Sequence, residues 1–312
     1  MFATYATKKR TITKNNHRAA ERMPFSTADI PSLAGKTFMI TGANSGLGFE
    51  SAKVFAQKGA TVYLHGRSLG KVQEAILEIK KVAPDAKLFP VVADLSDLAA
   101  IKEMVANLDI SQLDVLMLNA GIPFVEYTLS KQGIESIFHV NFLSHFYLVQ
   151  LLWNLIVKSN TRVVSVSAKP PLGMAALKFD LEEINNQSKF SSPVAYANSK
   201  LAVVHFTIGL ATRGINACVI DPGPVSTGIE SKATASGLLP FLARNLAFLI
   251  SVKTEVGALT QMFASVSSKA TSGTGWTNKD QPWDLAKIPT FLTQDTETLW
   301  AFSEDLLRSK GF

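Results

Sequence analysis

The chain has 312 residues, of which 47% are hydrophobic and 18% charged, a composition that is typical of a folded globular protein and excludes a disordered one. Its single cysteine, Cys218, cannot form an internal disulfide and lies in an apolar run, where we expect a core residue. The net charge is +6, but residues 1–30 carry +4 of it, so the rest of the chain lacks the basic face that binding of nucleic acid requires.

Residues 1–30 are predicted to form a basic, disordered tail ahead of a single folded domain over 31–312. The first 20 residues contain no acidic side chain and no apolar core segment, which excludes a secretory signal. A cytoplasmic protein with a plain tail is the expectation, and a mitochondrial presequence, which is also basic and acid-poor, is the alternative. No run approaches the roughly 18 uninterrupted apolar residues of a membrane span.

Strand-like and helix-like patterns then alternate, which predicts a doubly wound, Rossmann-type α/β fold with a parallel sheet and helices on both faces. Strands are predicted at Lys36–Thr41, Thr61–His65, Leu88–Ala93, Asp114–Leu118, Arg162–Ser167 and Asn216–Ile220. Helices are predicted at Ser45–Lys58, Leu69–Lys81, Asp97–Asn107, Lys131–Val157 and Tyr196–Arg213, the last preceded by an irregular polar segment, Lys178–Pro193. Beyond Pro224, helical stretches are predicted near Leu239–Ile250, Thr254–Ser267 and Asp295–Lys310.

A glycine-rich segment, TGANSGLG at 41–48, joins the first strand to the first helix. Gly42 permits a tight turn, while Gly46 and Gly48 allow the backbone and the helix to approach a pyrophosphate closely. The helix N-terminus then offers free N–H groups to the anion. We therefore predict a dinucleotide site that also includes Asn44, Ser45 and Leu47, the alternative being an ordinary turn.

The end of the second strand indicates which nucleotide is bound. An NAD-binding protein usually has an acidic residue there, but this strand runs into Gly66-Arg67-Ser68, with Lys71 close behind. A guanidinium suits the dianionic 2′-phosphate of NADP, which a carboxylate would repel. NADP is the predicted cofactor; the alternative is that Arg67 is a solvated surface residue.

Two further strand ends contribute candidate cofactor contacts. Asp94 and Leu95 follow the third strand, where Asp94 could accept a hydrogen bond from the adenine amino group or, alternatively, cap the next helix. Asn119, Ala120 and Gly121 follow the fourth strand, and their small side chains allow close approach of a cofactor, although a turn would favour them too.

Tyr196 and Lys200 stand four residues apart at the predicted start of a helix, so both project from one face. An ammonium beside a phenol favours the phenolate and lowers a pKa that is ordinarily about 10. Tyr196 is therefore a candidate acid/base for proton exchange with a carbonyl or an alcohol.

With these motifs in order, residues 33–230 resemble the short-chain dehydrogenase/reductase family. The matching segments are TGANSGLG at 41–48, Asp94, LNAG at 118–121, HVNF around Asn141, YANSK at 196–200 and PGPVST at 222–227. The Arg67 segment, the phrase HVNFLSHF and the long insert before Tyr196 are similar to the retinol-dehydrogenase-like subgroup.

The resemblance implies a role for each matching residue. Tyr196 would be the general acid/base, and Lys200 would lower its pKa while holding the nicotinamide ribose. Asn141 would anchor a water in a proton relay to Lys200, unless it is a polar helix residue facing solvent, and Asn119 would brace the cofactor site. Thr227 and the backbone near Val225 would hold the nicotinamide carboxamide. Pro222 and Gly223 would also belong to the cofactor site, although Pro222-Gly223-Pro224 could be a plain turn.

One position departs from the family pattern. A serine is expected just after the fifth strand, where it hydrogen-bonds the reacting oxygen, but that position is Ala168, with Ser167 one residue early. Losing one such donor typically lowers the rate by about 10²–10³. A bulge could bring Ser167 into place, activity could persist at a reduced level, or the chain could be an NADP-binding module without turnover.

The substrate is expected to be a small, apolar carbonyl compound or secondary alcohol. Apolar residues within 228–250 could form a lid over the nicotinamide, cover the core or a partner subunit, or touch a membrane surface. Helices Lys131–Val157 and Tyr196–Arg213 could pair two subunits in a homo-oligomer, as members of the family often do. The chemistry needs no metal, and no metal-ligand spacing is present.

Overall fold

A computed structural model of the chain describes residues 24–169, 177–178, 180–226, 252–288 and 294–312. Strands are present at Thr37–Ile40 (β1), Thr61–Gly66 (β2), Leu88–Val92 (β3), Val115–Leu118 (β4), Arg162–Val166 (β5), Ala217–Asp221 (β6), Val225–Ser226 (β7), Val252–Lys253 (β8), Gly275–Thr277 (β9) and Gln281–Trp283 (β10). Helices are present at Gly46–Gln57 (α1), Leu69–Lys80 (α2), Leu98–Ala106 (α3), Ser136–Phe138 (α4), Ser144–Leu151 (α5), Trp153–Ser159 (α6), Leu181–Ile184 (α7), Ser192–Thr212 (α8), Thr254–Val266 (α9) and Gln294–Ser309 (α10).

The main sheet has eight strands in the order β10-β9-β6-β5-β4-β1-β2-β3. All neighbours are parallel except β10, which runs antiparallel to β9, so the predicted doubly wound fold is confirmed. The short strands β7 to β10 were not predicted. From β1 the chain moves outward through β2 and β3, then returns to β4 on the other side of β1, and ligands of open α/β sheets bind at such a switch point.

Alternating side chains of the central strands pack into two hydrophobic cores, one on each face of the sheet. Phe38 and Ile40 of β1 belong to the cluster beneath α1, α2 and α9, whereas Met39 between them belongs to the cluster beneath α3, α5 and α8. Because both faces are covered by helices, these strands are apolar throughout, which is why they were recognisable in the sequence.

The predicted helix over Lys131–Val157 is wrong in its continuity. It begins only at Ser136, where the Glu135 carboxylate caps it by accepting from the backbone N–H groups of Ile137 and Phe138. A π-helical turn covers His139–Leu143, and the axis bends by 67° between Ser136–Leu151 and Trp153–Ser159. That bent pair has the length and hydropathy of a membrane span, whereas no single helix of the described ranges does.

The helix that contains Tyr196 begins earlier than predicted, at Ser192. Pro193 lies in its first turn, where a missing N–H breaks no intrahelical bond. Tyr196 therefore lies in the second turn and not at the start. The preceding segment, predicted to be irregular, contains α7 and a 3-10 turn at Gln187–Lys189.

The N-terminal boundary also differs from the prediction, because residues 24–30 are folded. Phe25 and Ile30 are buried, and the Phe25 ring packs edge-on against Phe263 of α9, with ring centroids 5.4 Å apart. The folded part therefore includes residues 24–30, and residues 1–23 lie outside the described ranges.

The C-terminal helix α10 covers the two helices that were predicted to pair subunits. Trp300 packs edge-on against Phe146 of α5, at 5.0 Å between centroids, and the guanidinium of Arg213, just after α8, lies 3.8 Å from the centre of a Trp300 ring. Arg213 also forms a bidentate ion pair with Glu297. The chain thus buries within itself a face that a homo-oligomer was expected to use.

Candidate active site

A cavity of about 1210 Å³ runs along the carboxyl edge of the sheet, across the switch point between β1 and β4. Every predicted cofactor-binding residue except Gly48 and Thr227 lines it, and so do Tyr196, Lys200 and Ser167. Gly48 lies behind the cavity wall, and Thr227 and the candidate lid 228–250 lie outside the described ranges. Residues from Gly42 to Val225 thus meet on one surface.

The glycine-rich loop is shaped by conformations and contacts that only glycine allows. Gly42 and Gly46 have φ of +65° and +62°. A Cβ on Gly48 would lie 2.5 Å from the Gly42 carbonyl oxygen and 2.6 Å from Asn119 Nδ2, so any side chain would push the helix away from the loop. The loop therefore presents the N-terminus of α1 to the cavity, an arrangement that suits a pyrophosphate.

A buried hydrogen-bond network, here called the Thr41 network, joins this loop to two other elements. Thr41 Oγ1 accepts from the backbone N–H groups of Asn119 and Ala120, at 2.8 and 2.9 Å, and lies 3.0 Å from His145 Nε2. The proton of Oγ1 has two acceptors in reach, His145 Nε2 at 3.0 Å and the Met117 carbonyl at 3.4 Å. The shorter contact favours donation to His145, whose Nδ1–H then donates to the Asn141 carbonyl at 3.4 Å. One hydroxyl thus fixes the ends of β1 and β4 relative to the π-helical turn.

Four buried histidines, here called the core histidines, surround this network or lie deeper in the fold. Burial lowers their pKa values, to about 4 for His65, His139 and His205 and to about 3 for His145, so all four are neutral at physiological pH. His65 accepts from the Gly42 N–H at Nδ1 and donates from Nε2 to the Ala93 carbonyl. His139 has no hydrogen-bond partner on either nitrogen among the described residues.

The end of β2 places two cations on the cavity rim. Arg67 and Lys71 are exposed and line the cavity beside Asn44, and no carboxylate of the described residues forms an ion pair with either of them. Gly66 is obligatory here, since a Cβ on it would lie 2.9 Å from Asn44 Oδ1. The basic charges are therefore available to a bound anion.

Asp94 lines the cavity at the end of β3 and does not cap the following helix. Its Oδ1 accepts from the backbone N–H and the hydroxyl of Ser96. The cap of α3 is Asp97, whose carboxylate accepts from the Ala99 N–H. The alternative role considered for Asp94 is thus taken by a different residue, which leaves Asp94 beside the cavity.

Tyr196 and Lys200 project into the cavity from one face of α8, as their spacing predicted. Lys200 is 5% exposed; its Nζ lies 5.6 Å from the centre of the Tyr196 ring and donates to the Val166 carbonyl at 3.2 Å. The Tyr196 ring also packs edge-on against Phe124, at 5.1 Å. The side chains of the predicted acid/base pair are therefore neighbours.

The electrostatics of this pair differ from the prediction. Burial, together with a smaller contribution from the nearby Asp221 carboxylate, raises the pKa of Tyr196 to about 12, so the expected lowering by Lys200 does not prevail in the protein alone. Burial lowers the pKa of Lys200 to about 8, with Asp221 opposing that change. At neutral pH the phenol therefore holds its proton and Lys200 its charge.

Asn141 does not face solvent, since it is 1% exposed within the π-helical turn. Its Oδ1 accepts from the Ile122 N–H at 2.7 Å, while Nδ2 donates to the Ile122 carbonyl and to Ser199 Oγ. The carboxamide thus holds the segment after β4 against α8 at Ser199, the residue directly before Lys200. Its predicted part in a water relay stays a prediction.

Ser167 and Ala168 both reach the cavity wall, but the Ser167 hydroxyl is already engaged. Its Oγ donates to the Lys200 carbonyl at 2.8 Å, and the residue is 2% exposed. Ser167 therefore fixes α8 against the end of β5, while Ala168, half-buried at the cavity, has no hydroxyl to offer.

Sequence reasoning missed three polar residues of the site: Thr41, His145 and Asp221. In the sequence, Thr41 is only the first residue of the glycine-rich segment, and His145 only one position within the predicted helix Lys131–Val157. Asp221 ends β6 directly before Pro222-Gly223, and an acidic residue that closes an otherwise apolar strand was the signal available for it.

Comparisons with known proteins agree with this geometry. A family model described as short chain dehydrogenase matches residues 36–174. WW domain-containing oxidoreductase of Homo sapiens is 30% identical over 291 residues, covering 89% of this chain and 69% of that protein. Retinol dehydrogenase 12 of Mus musculus is 31% identical over 284 residues, covering 88% and 87%. An uncharacterised protein from Mycobacterium paratuberculosis has a solved structure that matches with a TM-score of 0.70 at 30% identity, covering 92% of this chain and 98% of that one.

Proposed function

Since the chain belongs to the short-chain dehydrogenase/reductase family, a group of nicotinamide-dependent oxidoreductases, we propose that it is an NADP-dependent carbonyl reductase with Tyr196 as its proton donor. The observation that carries the proposal is the single cavity that joins the glycine-rich loop, the Arg67 rim and the Tyr196–Lys200 pair. A bound nicotinamide would supply the hydride in that cavity, and the residues of this chain would bind the nucleotide and donate the proton.

The choice of NADP rests on the charges at the end of β2. Arg67 and Lys71 stand unpaired with carboxylates of the described residues at the point where an NAD-binding protein would present an acidic group. A 2′-phosphate would pair with the guanidinium through charge-assisted hydrogen bonds. The free 2′-hydroxyl of NAD would find no carboxylate acceptor at Arg67.

The protonation state of the phenol favours the reductive direction. With a pKa raised to about 12 by burial, Tyr196 is protonated at neutral pH and can give its proton to a carbonyl oxygen. In the proposed reduction the carbonyl carbon accepts the hydride, the π bond breaks and the oxygen accepts that proton. The nucleotide is oxidised, and the resulting phenolate, next to the Lys200 ammonium, recovers a proton from solvent.

The substrate is proposed to be an apolar carbonyl compound of low molecular weight. The cavity wall directly after β4 is formed by Ile122, Pro123 and Val125, and the Phe124 ring lies against Tyr196, so the surface nearest the phenol is apolar. The mouse relative is named for retinol, and a retinoid aldehyde is therefore a rational first member of a substrate panel.

A second function, an NADP-binding module with little or no turnover, is favoured by one specific observation. The serine that the family places at the reacting oxygen is Ala168 here, and the Ser167 hydroxyl donates to the Lys200 carbonyl instead. The two functions share the nucleotide site and differ only in chemistry.

Fluorescence titration with NADPH and NADH, followed by a carbonyl-reduction screen, tests the proposal. We expect NADPH to bind more tightly, Arg67→Gln to remove that preference, and Tyr196→Phe to bind NADPH normally without turnover. Equal or tighter binding of NADH would refute the assignment of Arg67. Normal NADPH binding with no turnover on the panel would favour the binding module, and Ser167→Ala would then change stability alone.

A further inference from the structure

Asp221 is an ionisable residue of the cavity that the proposed mechanism does not use. It is half-buried at the end of β6 and lines the cavity together with Ala168 and Lys169. Its Oδ1 accepts from the Gly223 N–H at 2.9 Å, and the Lys169 N–H also donates to the carboxylate. The side chain thus bridges the ends of β5 and β6, beside the segment at 222–225 that the family resemblance assigns to the nicotinamide.

The groups that face Asp221 show where its charge acts. Lys200 of α8 and Lys169 after β5 both interact with it electrostatically, and so does the Tyr196 phenol. Burial raises the pKa of Asp221, while the two N–H donors and the two lysines favour its ionised form. The carboxyl group of Asp221 and the ammonium of Lys200 therefore border the same end of the cavity and interact through their charges.

Reduction and oxidation of a nicotinamide change the charge that this end of the cavity must accommodate. The reduced ring is neutral and the oxidised ring carries one positive charge, which Lys200 alone would repel. A carboxylate at the same place offsets that repulsion, and charges interact strongly where water is largely excluded.

We propose that Asp221 makes the site bind the oxidised nucleotide more tightly, relative to the reduced one, than it would without the carboxylate. The proposal rests on the proposed NADP site. Because the balanced reaction converts a carbonyl compound, reduced nucleotide and a proton into an alcohol and oxidised nucleotide, Asp221 favours the reductive direction on the protein. It is thus a positioned charge for the cofactor and not a proton-transfer group.

The alternative role for Asp221 is purely structural, because an Asp that accepts a hydrogen bond from the N–H two residues later commonly stabilises a turn. That role predicts lower stability on substitution, with both forms of the nucleotide affected equally. The electrostatic role predicts a change in the ratio of two dissociation constants, which a turn alone would not alter.

The test measures dissociation constants for NADPH, by fluorescence, and for NADP⁺, by competition, in the wild type and in Asp221→Asn. We expect the ratio of Kd for NADP⁺ to Kd for NADPH to rise by about threefold to tenfold in the variant, the upper figure being about 1.4 kcal/mol. Asp221→Glu keeps the charge and should keep the wild-type ratio. Asp94→Asn is the matched control, since it removes a carboxylate from the far end of the cavity and should leave the ratio unchanged.

The outcomes separate this inference from the function on which it rests. Failure of the wild type to bind either nucleotide overturns both, whereas binding with the same ratio in Asp221→Asn overturns the role of Asp221 alone. If Asp221→Asn does not fold, as judged by circular dichroism, Asp221→Ser provides a second neutral variant, whose hydroxyl can still accept from the Gly223 N–H. An unchanged ratio in that variant likewise refutes the proposal.

Discussion

The Thr41 network can be broken by replacing one atom. Thr41→Val keeps the shape of the side chain and removes the hydroxyl, which is fully buried and serves the Asn119 N–H, the Ala120 N–H and His145 Nε2. An unsatisfied buried polar group typically costs about 1–3 kcal/mol. His145 is fully enclosed, while the two N–H groups lie near the cavity and can gain water, so we expect a total loss of about 2–4 kcal/mol.

Thr41→Ser is the matched control, because it keeps the hydroxyl and removes one buried methyl, worth about 1 kcal/mol. Urea unfolding followed by tryptophan fluorescence gives the free energy of unfolding of both variants. NADPH affinity should also fall in Thr41→Val and be nearly retained in Thr41→Ser, since the network sets the ends of β1 and β4 at the cavity. If the valine variant were as stable as the serine variant, the hydrogen-bond assignment would be wrong.

Three further predictions concern the loop, the core and the C-terminal helix. Gly48→Ala should weaken NADPH binding and destabilise the protein by about 1–3 kcal/mol, because its Cβ would overpack the loop. Gly70→Ala is the control: Gly70 lies on an exposed helix with open space around it, so this change should stabilise the protein by up to about 1 kcal/mol. Equal free energies of unfolding of the two variants in urea titrations would contradict this prediction. The core histidines have depressed pKa values, so the unfolded chain takes up more protons below pH 6.5 and stability should fall between about pH 6.5 and 4, by up to about 1.4 kcal/mol per pH unit for each histidine. A flat unfolding midpoint over that range would refute their burial as neutral groups. Deleting residues 294–312 exposes the apolar faces of α5 and α8, so the truncated chain should self-associate in size-exclusion chromatography, while the full chain should elute as a monomer. An unchanged elution volume would show that the exposed face does not cause self-association.

The parts of the fold that the sequence predicted are those set by local pattern. The central strands β1, β4, β5 and β6 are mainly apolar runs, and a strand buried on both faces has that signature wherever it occurs. The edge strand β3 was recognisable from its apolar run as well, although Phe89 and Val92 are exposed. The glycine-rich loop could also be predicted from the sequence, because the positive φ at Gly42 and Gly46 and the close contact at Gly48 each require glycine.

The parts that were missed depend on contacts distant in sequence. No residue near Leu152 indicates the 67° bend in the sequence. The π-helical turn depends on a hydrogen bond from the Ser144 N–H to the His139 carbonyl, which joins residues five apart, where an α-helix joins residues four apart. Strands β9 and β10 have three residues each, too few for a period to show. The Thr41 network joins residues 104 positions apart in sequence, so the sequence around either residue gives no sign of its partner.

The Tyr196–Lys200 pair shows how a correct motif can still give the wrong electrostatics. Spacing on a helix predicts that the two side chains are neighbours, and they are. It cannot predict that Lys200 is buried and Tyr196 half-buried near Asp221, and loss of solvent moves the pKa values of a phenol and an ammonium in opposite directions. The sign of each pKa shift therefore comes from the whole end of the sheet.

These shifts imply that Lys200, and not Tyr196, sets the alkaline limit of activity. Lys200 has a pKa lowered to about 8 and is charged below that pH, while Tyr196 keeps its proton up to about 12. The phenolate left after proton donation needs the neighbouring ammonium, so kcat/KM for carbonyl reduction should fall as the pH rises through about 8. Lys200→Arg holds its charge across this range and should move the decline to higher pH, even if its maximum is lower. A wild-type rate that stays constant to pH 10, or a decline that is unmoved in the arginine variant, would show that the ammonium is not the titrating group.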